Sequence, residues 1–305
     1  MPKAIRPLYN LALVENFVEN VLDIHPNADA SFQSVCHKIL TAELQLENIE
    51  SKSTLNSPEF RDGNYRQDNT RKQLREKILH ELSHYKRLKK DDSIRLGRGG
   101  ALPITGVQKE KQAYYIIGLP ASGKSCITNQ LADQFGAVVL DSDYAKRKLP
   151  EFDMPLGAAL THEESSAIIF GMNNNREPCL LACTVSEGIN IVIPKIGSDY
   201  GKALAFSQAL KNLDYSVHLI LVRLDRLKAT RRAYNRFKSS GRYVALPLIV
   251  DGYANEPTIV YYDLKRTSRK LFASFSMIST DVERGKPPKI LELTGYSPFK
   301  KFQLK

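Results

Sequence analysis

Residues 113–135 read AYYIIGLPASGKSCITNQLADQF, and the fold is decided there. Ala113 to Ile117 is a short apolar and aromatic run of the kind that forms a buried strand, and the residues after Lys124 carry a helical pattern. Between them, Gly118 to Ser125 fits G-x-x-x-x-G-K-[ST] at every fixed position, in the strand-to-helix context that motif requires. The glycines let backbone N–H groups close round a polyphosphate, which also meets the positive end of the following helix. Gly118, Ala121, Ser122, Gly123, Lys124, Ser125 and Cys126 are therefore the candidate nucleotide-binding set. Lys124 is expected to reach the β- and γ-phosphates of ATP, and Ser125 to place its hydroxyl on Mg²⁺.

Downstream, apolar strands alternate with helical segments at Tyr114–Ile117, Val138–Leu140, Ile191–Ile193, Val217–Val222 and Phe272–Met277. That alternation predicts an α/β fold, a P-loop kinase-like parallel sheet flanked by helices. Ligands of such sheets bind at the carboxyl ends of the strands, so the residues just beyond each strand are the ones to inspect.

Upstream, Leu11 to Leu22 and Phe32 to Leu46 repeat at helical spacing, and Leu74, Ile78, Leu82, Tyr85 and Leu88 mark a third helix ending in Lys86, Arg87, Lys89 and Lys90. Residues 51–70 are polar with Pro and Gly, which reads as a linker or mobile loop. The expected organisation is an all-helical N-terminal region over 1–85, a basic linker over 86–112 and the P-loop domain over 113–305. Charge is divided unevenly. Residues 1–65 hold 5 Lys and Arg against 9 Asp and Glu, a balance of −4, whereas residues 66–112 hold 13 against 6, or +7, within a chain of net charge +11.

At 305 residues with 42% hydrophobic composition the chain can bury a core of moderate size with an appended region. No run approaches the ~18 apolar residues of a membrane span, and the start MPKAIRPLYN has no signal-peptide apolar region. The four cysteines, Cys36, Cys126, Cys179 and Cys183, make no disulfide framework and read as ordinary buried small residues. A cytoplasmic protein with an anionic small-molecule substrate is expected; neither a membrane nor a nucleic acid is expected as partner.

The second strand runs into Asp141-Ser142-Asp143-Tyr144, followed by Lys146, Arg147 and Lys148. A carboxylate beside a phosphate loop can hold Mg²⁺ or accept the proton of an attacking hydroxyl, and two carboxylates supply both jobs, with helix capping as the plain alternative for each. Arg226, Arg231, Arg232, Arg236 and Arg242 follow the Val217–Val222 strand, where guanidinium groups can bind phosphoryl oxygens bidentately or simply form a solvated surface.

The phosphate loop, Asp141-Ser142-Asp143, Lys146, Pro150-Glu151-Phe152-Asp153, Gly188 to Ile193 and Leu213 to Val217 together resemble the zeta toxins, bacterial P-loop kinases of toxin–antitoxin systems. The resemblance covers roughly residues 113 to 245. It implies Asp143 as the base that activates a sugar hydroxyl, Lys124 as ligand of the γ-phosphate, and Arg236 with Arg242 as phosphate clamps. Asp141 is the further metal candidate beside Ser125. The implied activity is ATP-dependent phosphorylation of a UDP-activated sugar such as UDP-N-acetylglucosamine, acting as a bacterial toxin. One departure stands out: where members acting on that sugar carry an acid and a threonine after the third strand, this chain has Pro194-Lys195-Ile196-Gly197. Substrate contacts are then expected from Asp141, Lys195 and the cluster Thr161 to Ser166, chiefly Glu163 and Ser165. Related kinases act on nicotinamide dinucleotide, antibiotics or polynucleotides, and these acceptors stay open. The three N-terminal helices resemble a fused antitoxin, which implies an intramolecular inhibitor.

His80-Glu81-Leu82-Ser83-His84 matches H-E-x-x-H, the signature of a zinc protease, but no His or Glu follows until Glu110 to serve as a third ligand. The expectation is a chance match on a basic helix. A guanine-reading N-K-x-D and an ABC-type signature are both absent from the sequence.

Overall fold

The computed structural model describes every residue except 1–4, 49–51, 155, 173–176, 284, 302, 303 and 305. The N-terminal helices are α1 (Leu11–Asn16), continued by a π-turn over Phe17–Val21, then α2 (Phe32–Asn48) and α3 (Asp68–His84). The sheet region runs β1 (Gln112–Ile117), α4 (Lys124–Gln134), β2 (Val138–Val139), α5 (Ser142–Lys146), α6 (Gly157–Leu160), α7 (His162–Phe170), α8 (Leu180–Ser186) and β3 (Ile191–Lys195). It closes with α9 (Tyr200–Asn212), β4 (Ser216–Arg223), α10 (Arg226–Ser240), α11 (Glu256–Thr267), β5 (Ser274–Ser279) and β6 (Lys289–Gly295).

The strands lie in the order β2-β3-β1-β4-β5-β6. The first five are parallel, and β6 returns antiparallel to β5. β1 sits in the middle, with Ala113 opposite both Ile191 and Val217, and Ala113 to Ile117 are all buried, as a strand covered by helices on both faces must be. The sequence expectation lacked β6, whose residues Lys289, Ile290 and Leu291 are exposed. An edge strand with little buried surface carries no continuous apolar run to announce it. Among the described residues no helix is long and apolar enough to cross a membrane.

Two apolar cores divide the chain differently from the expected boundaries. The larger core joins all five parallel strands to Leu74, Ile78 and Leu82 of α3 and to Ile94 and Ala101. Thus α3 and residues 86–112 are built into the sheet domain instead of preceding it. The third helix also stops at His84, because Tyr85 turns extended and Lys86 bridges Leu102 in a short parallel contact; Arg87 leaves the helix to bond Asp133 on α4 at 3.1 Å. The second core unites α1 and α2, through Val14, Phe17, Val18, Leu22, Val35 and Ile39, with Leu119 of the phosphate loop, with Ala233 and Phe237 of α10 and with Ile249 and Val250 beyond it.

The polar stretch expected to be slack is pinned. Thr54 donates its backbone N–H to Leu160 at 3.0 Å and its hydroxyl to Glu164 at 2.5 Å, and the buried Arg61 bonds the Thr54 carbonyl at 2.6 Å and Asp68 at 2.7 Å. Its polar residues find partners on distant elements, which composition does not reveal.

Candidate active site

The phosphate loop leaves β1 at Gly118, where a Cβ would stand 2.6 Å from the Val222 carbonyl on the neighbouring strand, so only glycine allows that approach. Ala121 has φ 58 and Gly123 φ 87, a left-handed kink that turns the chain into α4. Ser122 is buried, and its carbonyl accepts from the Thr280 hydroxyl at 2.7 Å, tying the loop to the end of β5. Ser125 and Cys126 lie exposed in the first turn of α4; the expectation of a buried thiol fails at Cys126, which lies in the open on the loop's helix. Lys124 folds back so that Nζ donates to the carbonyls of Gly118 and Leu119, both at 2.7 Å. Burial pushes its ammonium down to about 8 against the pull of Asp141 and Asp143.

The two carboxylates after β2 have different surroundings. Asp141 caps α5, accepting the Asp143 N–H at 2.9 Å, so it fills the capping role, and its charge also acts on Lys124. Burial, and then the charge of Asp143, push its carboxyl up to about 6. Burial also acts on Asp143, but Lys146 at 3.3 Å, Arg147 at 3.9 Å and Arg242 at 3.3 Å outweigh it and hold that carboxyl well below the usual range. Asp143 is thus ionised throughout the neutral range.

The five arginines separate by role. Arg226 bonds the Val250 carbonyl at 3.2 Å, Arg231 bonds Leu22 and Asp23, and Arg232 bonds the Thr280 carbonyl at 2.7 Å. Of the two that the resemblance selects, Arg242 bonds the acids, donating to Asp92 at 2.8 Å and Asp143 at 3.3 Å. Arg236 stands within the fields of Arg242 and Asp143, and burial followed by the like charge of Arg242 lowers its pKa. Its Nε is buried without a hydrogen-bond partner, as is that of Arg147. Arg147, Arg236 and Arg242 line one cleft of about 730 Å³, with Phe152 and Tyr243, opposite His37, Lys38 and Thr41 of α2.

Three expected substrate contacts fare unequally. Lys195, at the end of β3, stacks its ammonium 3.4 Å from the Phe170 ring centroid, and burial pushes it down to about 8 against the attraction of Asp141. Glu163 turns away: it accepts from the Ser53 hydroxyl at 2.7 Å and from Asn56 at 3.3 Å. Ser165 is fully buried and donates to the His162 carbonyl at 2.8 Å. Both serve the packing of α7 and are removed from the site. From the same cluster it is His162 that approaches, with Nδ1 3.5 Å from the Lys146 ammonium. Arg147 and Asp92 were also missed. Arg147 is legible as the basic residue four after Asp143, while nothing near Asp92 in the sequence points to a partner 150 residues away.

The H-E-x-x-H match does different work. Glu81 is buried and takes the Lys148 ammonium at 2.6 Å and the Gly97 N–H at 2.9 Å, while the His80 and His84 rings stack outside at 4.2 Å. Its carboxylate is unavailable to a metal-bound water. Among the described residues no group of three or more His, Cys, Asp or Glu could hold a metal ion.

The zeta toxin family model matches residues 102–257, which takes in the loop, both carboxylates, Arg236 and Arg242. The chain belongs to the zeta toxin family. No curated protein matches this zeta toxin sequence. Among solved structures it is similar to a chain of the PezAT chromosomal toxin–antitoxin system of Streptococcus pneumoniae, at 14% identity over 74% of this chain and 81% of that one, TM-score 0.47. It is also similar to a chain of the AvrRxo1-ORF1:ORF2 complex with ATP, at 15% identity over 74% and 67%, TM-score 0.48.

Proposed function

We propose that this zeta toxin is a kinase that moves the γ-phosphoryl group of ATP to a hydroxyl of a small anionic acceptor, with a nucleoside diphosphate sugar of the UDP-N-acetylglucosamine kind as the preferred class. The observation that carries it is the meeting of three parts: Lys124 of the loop within the fields of Asp141, Asp143 and Arg236, the Asp141–Asp143 pair itself, and Arg242 joined to Asp143 at 3.3 Å. In the transfer the acceptor oxygen bonds the γ-phosphorus, the bond to the β–γ bridging oxygen breaks, ADP leaves, and the hydroxyl proton passes to the Asp143 carboxylate. A loose transition state asks mainly for position and charge, so a carboxylate held at low pKa suffices as acceptor of a proton that leaves late. Lys124 would draw its ammonium off the loop carbonyls onto the β- and γ-oxygens, and Arg236 and Arg242 would take the equatorial oxygens.

The donor set fits Mg²⁺: a hydroxyl at Ser125 and a carboxylate at Asp141, both hard oxygen ligands. The ion would neutralise charge between the β- and γ-phosphates. Lys195 offers a cation where members acting on UDP-N-acetylglucosamine carry an acid, which favours an acceptor with an additional anionic group near that point.

The inhibitory role expected of the N-terminal helices does not enter this reading. Release would expose Val14, Phe17, Val18, Leu22 and their partners, at roughly 1.5–3 kcal/mol for each large apolar side chain, and the stretch expected to provide slack is bonded down. α2 instead stays as a fixed wall of the cleft.

Incubation with γ-labelled ATP and UDP-N-acetylglucosamine should yield a phosphorylated sugar nucleotide, and Lys124→Ala should abolish transfer to any acceptor. Wild-type turnover in that variant would defeat the assignment.

A further inference from the structure

We infer that Glu43, on α2 and outside the family-matched residues, is a positioning residue for the arginine clamp, acting on Arg242 through Tyr243. The inference rests on the clamp role proposed above for Arg242 and adds the device that aims it. α10 ends at Gly241, which takes φ 71 with no atom near its missing Cβ, and residues 241–245 have no regular structure. The direction of Arg242 therefore depends on what anchors its neighbours. Tyr243 is that anchor. Its hydroxyl donates to the Glu43 carboxylate and accepts the Leu246 N–H at 3.4 Å, and its ring meets Phe237 of α10 edge-on at 4.9 Å. One residue earlier, the Arg242 guanidinium lies 5.3 Å over the Phe152 ring and bonds Asp92 and Asp143.

α2 is held to α10 by the shared apolar core, and Asp29 just ahead of it pairs with Lys238 at 2.7 Å, so loss of the Glu43 bond frees Tyr243 without unseating the helix. This gives the N-terminal helices a supporting role, opposite in sign to inhibition.

The test uses the full chain and the affinity for a non-hydrolysable ATP analogue with Mg²⁺, alongside turnover. Arg242→Ala should weaken analogue binding about tenfold, as loss of charge-assisted bonds to phosphate does. Glu43→Ala and Tyr243→Phe should each weaken it about threefold to fivefold. Glu43→Gln, which keeps an oxygen able to accept from Tyr243, should stay near wild type. Added to Arg242→Ala, the Glu43→Ala change should cost nothing further, because both act on one guanidinium. Additive losses, failure of Glu43→Gln to restore binding, or an unaffected Glu43→Ala beside an impaired Arg242→Ala would overturn the positioning role while leaving the clamp intact. A neutral Arg242→Ala would overturn the clamp itself, and the positioning role with it.

Discussion

Two clusters of arginine and carboxylate, one holding Glu164 of α7 and the other Asp143 of α5, are finished to different degrees. In the first, Arg71 of α3 is fully buried and every guanidinium nitrogen is met: Nε and Nη2 by Glu164 at 2.7 and 2.6 Å, Nη1 and Nη2 by Glu151 at 2.7 and 3.1 Å. In the second, Arg147 and Arg236 keep a buried Nε without a partner, and Arg242 shares itself between two acids on a cleft. A closed set has no capacity left for a ligand and ties elements together. An open set costs stability and retains donors for an incoming anion. Residue type alone does not distinguish them, since each is arginine among acids.

The contrast can be broken at either cluster. Asp143→Asn should show the largest effect, lowering turnover roughly 10²–10⁴-fold with ATP affinity little changed, as read by steady-state kinetics beside analogue binding. A variant that loses affinity alone would take the base role from Asp143. At the closed cluster, Arg71→Ala leaves Glu151 and Glu164 buried without their cation. It should cost about 3–5 kcal/mol in urea unfolding while the folded fraction turns over normally. Smaller and opposite in sense, Arg236→Ala removes an unsatisfied buried donor, so stability should hold or rise by about 1 kcal/mol as analogue affinity falls about tenfold. Parallel loss of both would make Arg236 a second structural arginine.

The mildest test is a pH profile. Because Asp141 has its carboxyl raised to about 6 from an ordinary 3.8, the folded chain keeps a proton that the unfolded chain has lost between those values. Its contribution to stability therefore declines as pH rises from about 4 to 6 and is level above. Asp143, held low, works the other way and withdraws its stabilisation as pH falls below the ordinary carboxylate range. Unfolding curves of Asp141→Asn should lack the decline between pH 4 and 6, and an unchanged profile would show that Asp141 is not the raised group.

The open cluster was largely legible in the sequence and the closed one was not. The loop from Gly118 to Ser125 has fixed local spacing, Asp141 and Asp143 lie just beyond a strand that announces itself by an apolar run, and Arg236 and Arg242 are picked out by the resemblance. Arg71, Glu151 and Glu164 acquire meaning only through partners 80 and 93 residues apart. For the same reason Glu163 was read as a substrate contact when its carboxylate belongs to Ser53, and residues 51–70 were read as slack. α3 carries an amphipathic pattern that says it buries one face but not which core receives it. β6 offered too little buried surface to be seen.

The seat of α1 and α2 on α10 also has a consequence in time. Leu22 and Asp29 meet Arg231 and Lys238 across 209 residues of chain, contacts of very high order. During synthesis the apolar stripe of Val14, Phe17, Val18 and Leu22 emerges long before α10 and waits until that helix and residues 246–250 have left the ribosome before its core can close. Helices made well ahead of α10 are buried only after it, and the cleft that α2 walls is complete only when most of the polypeptide is already outside.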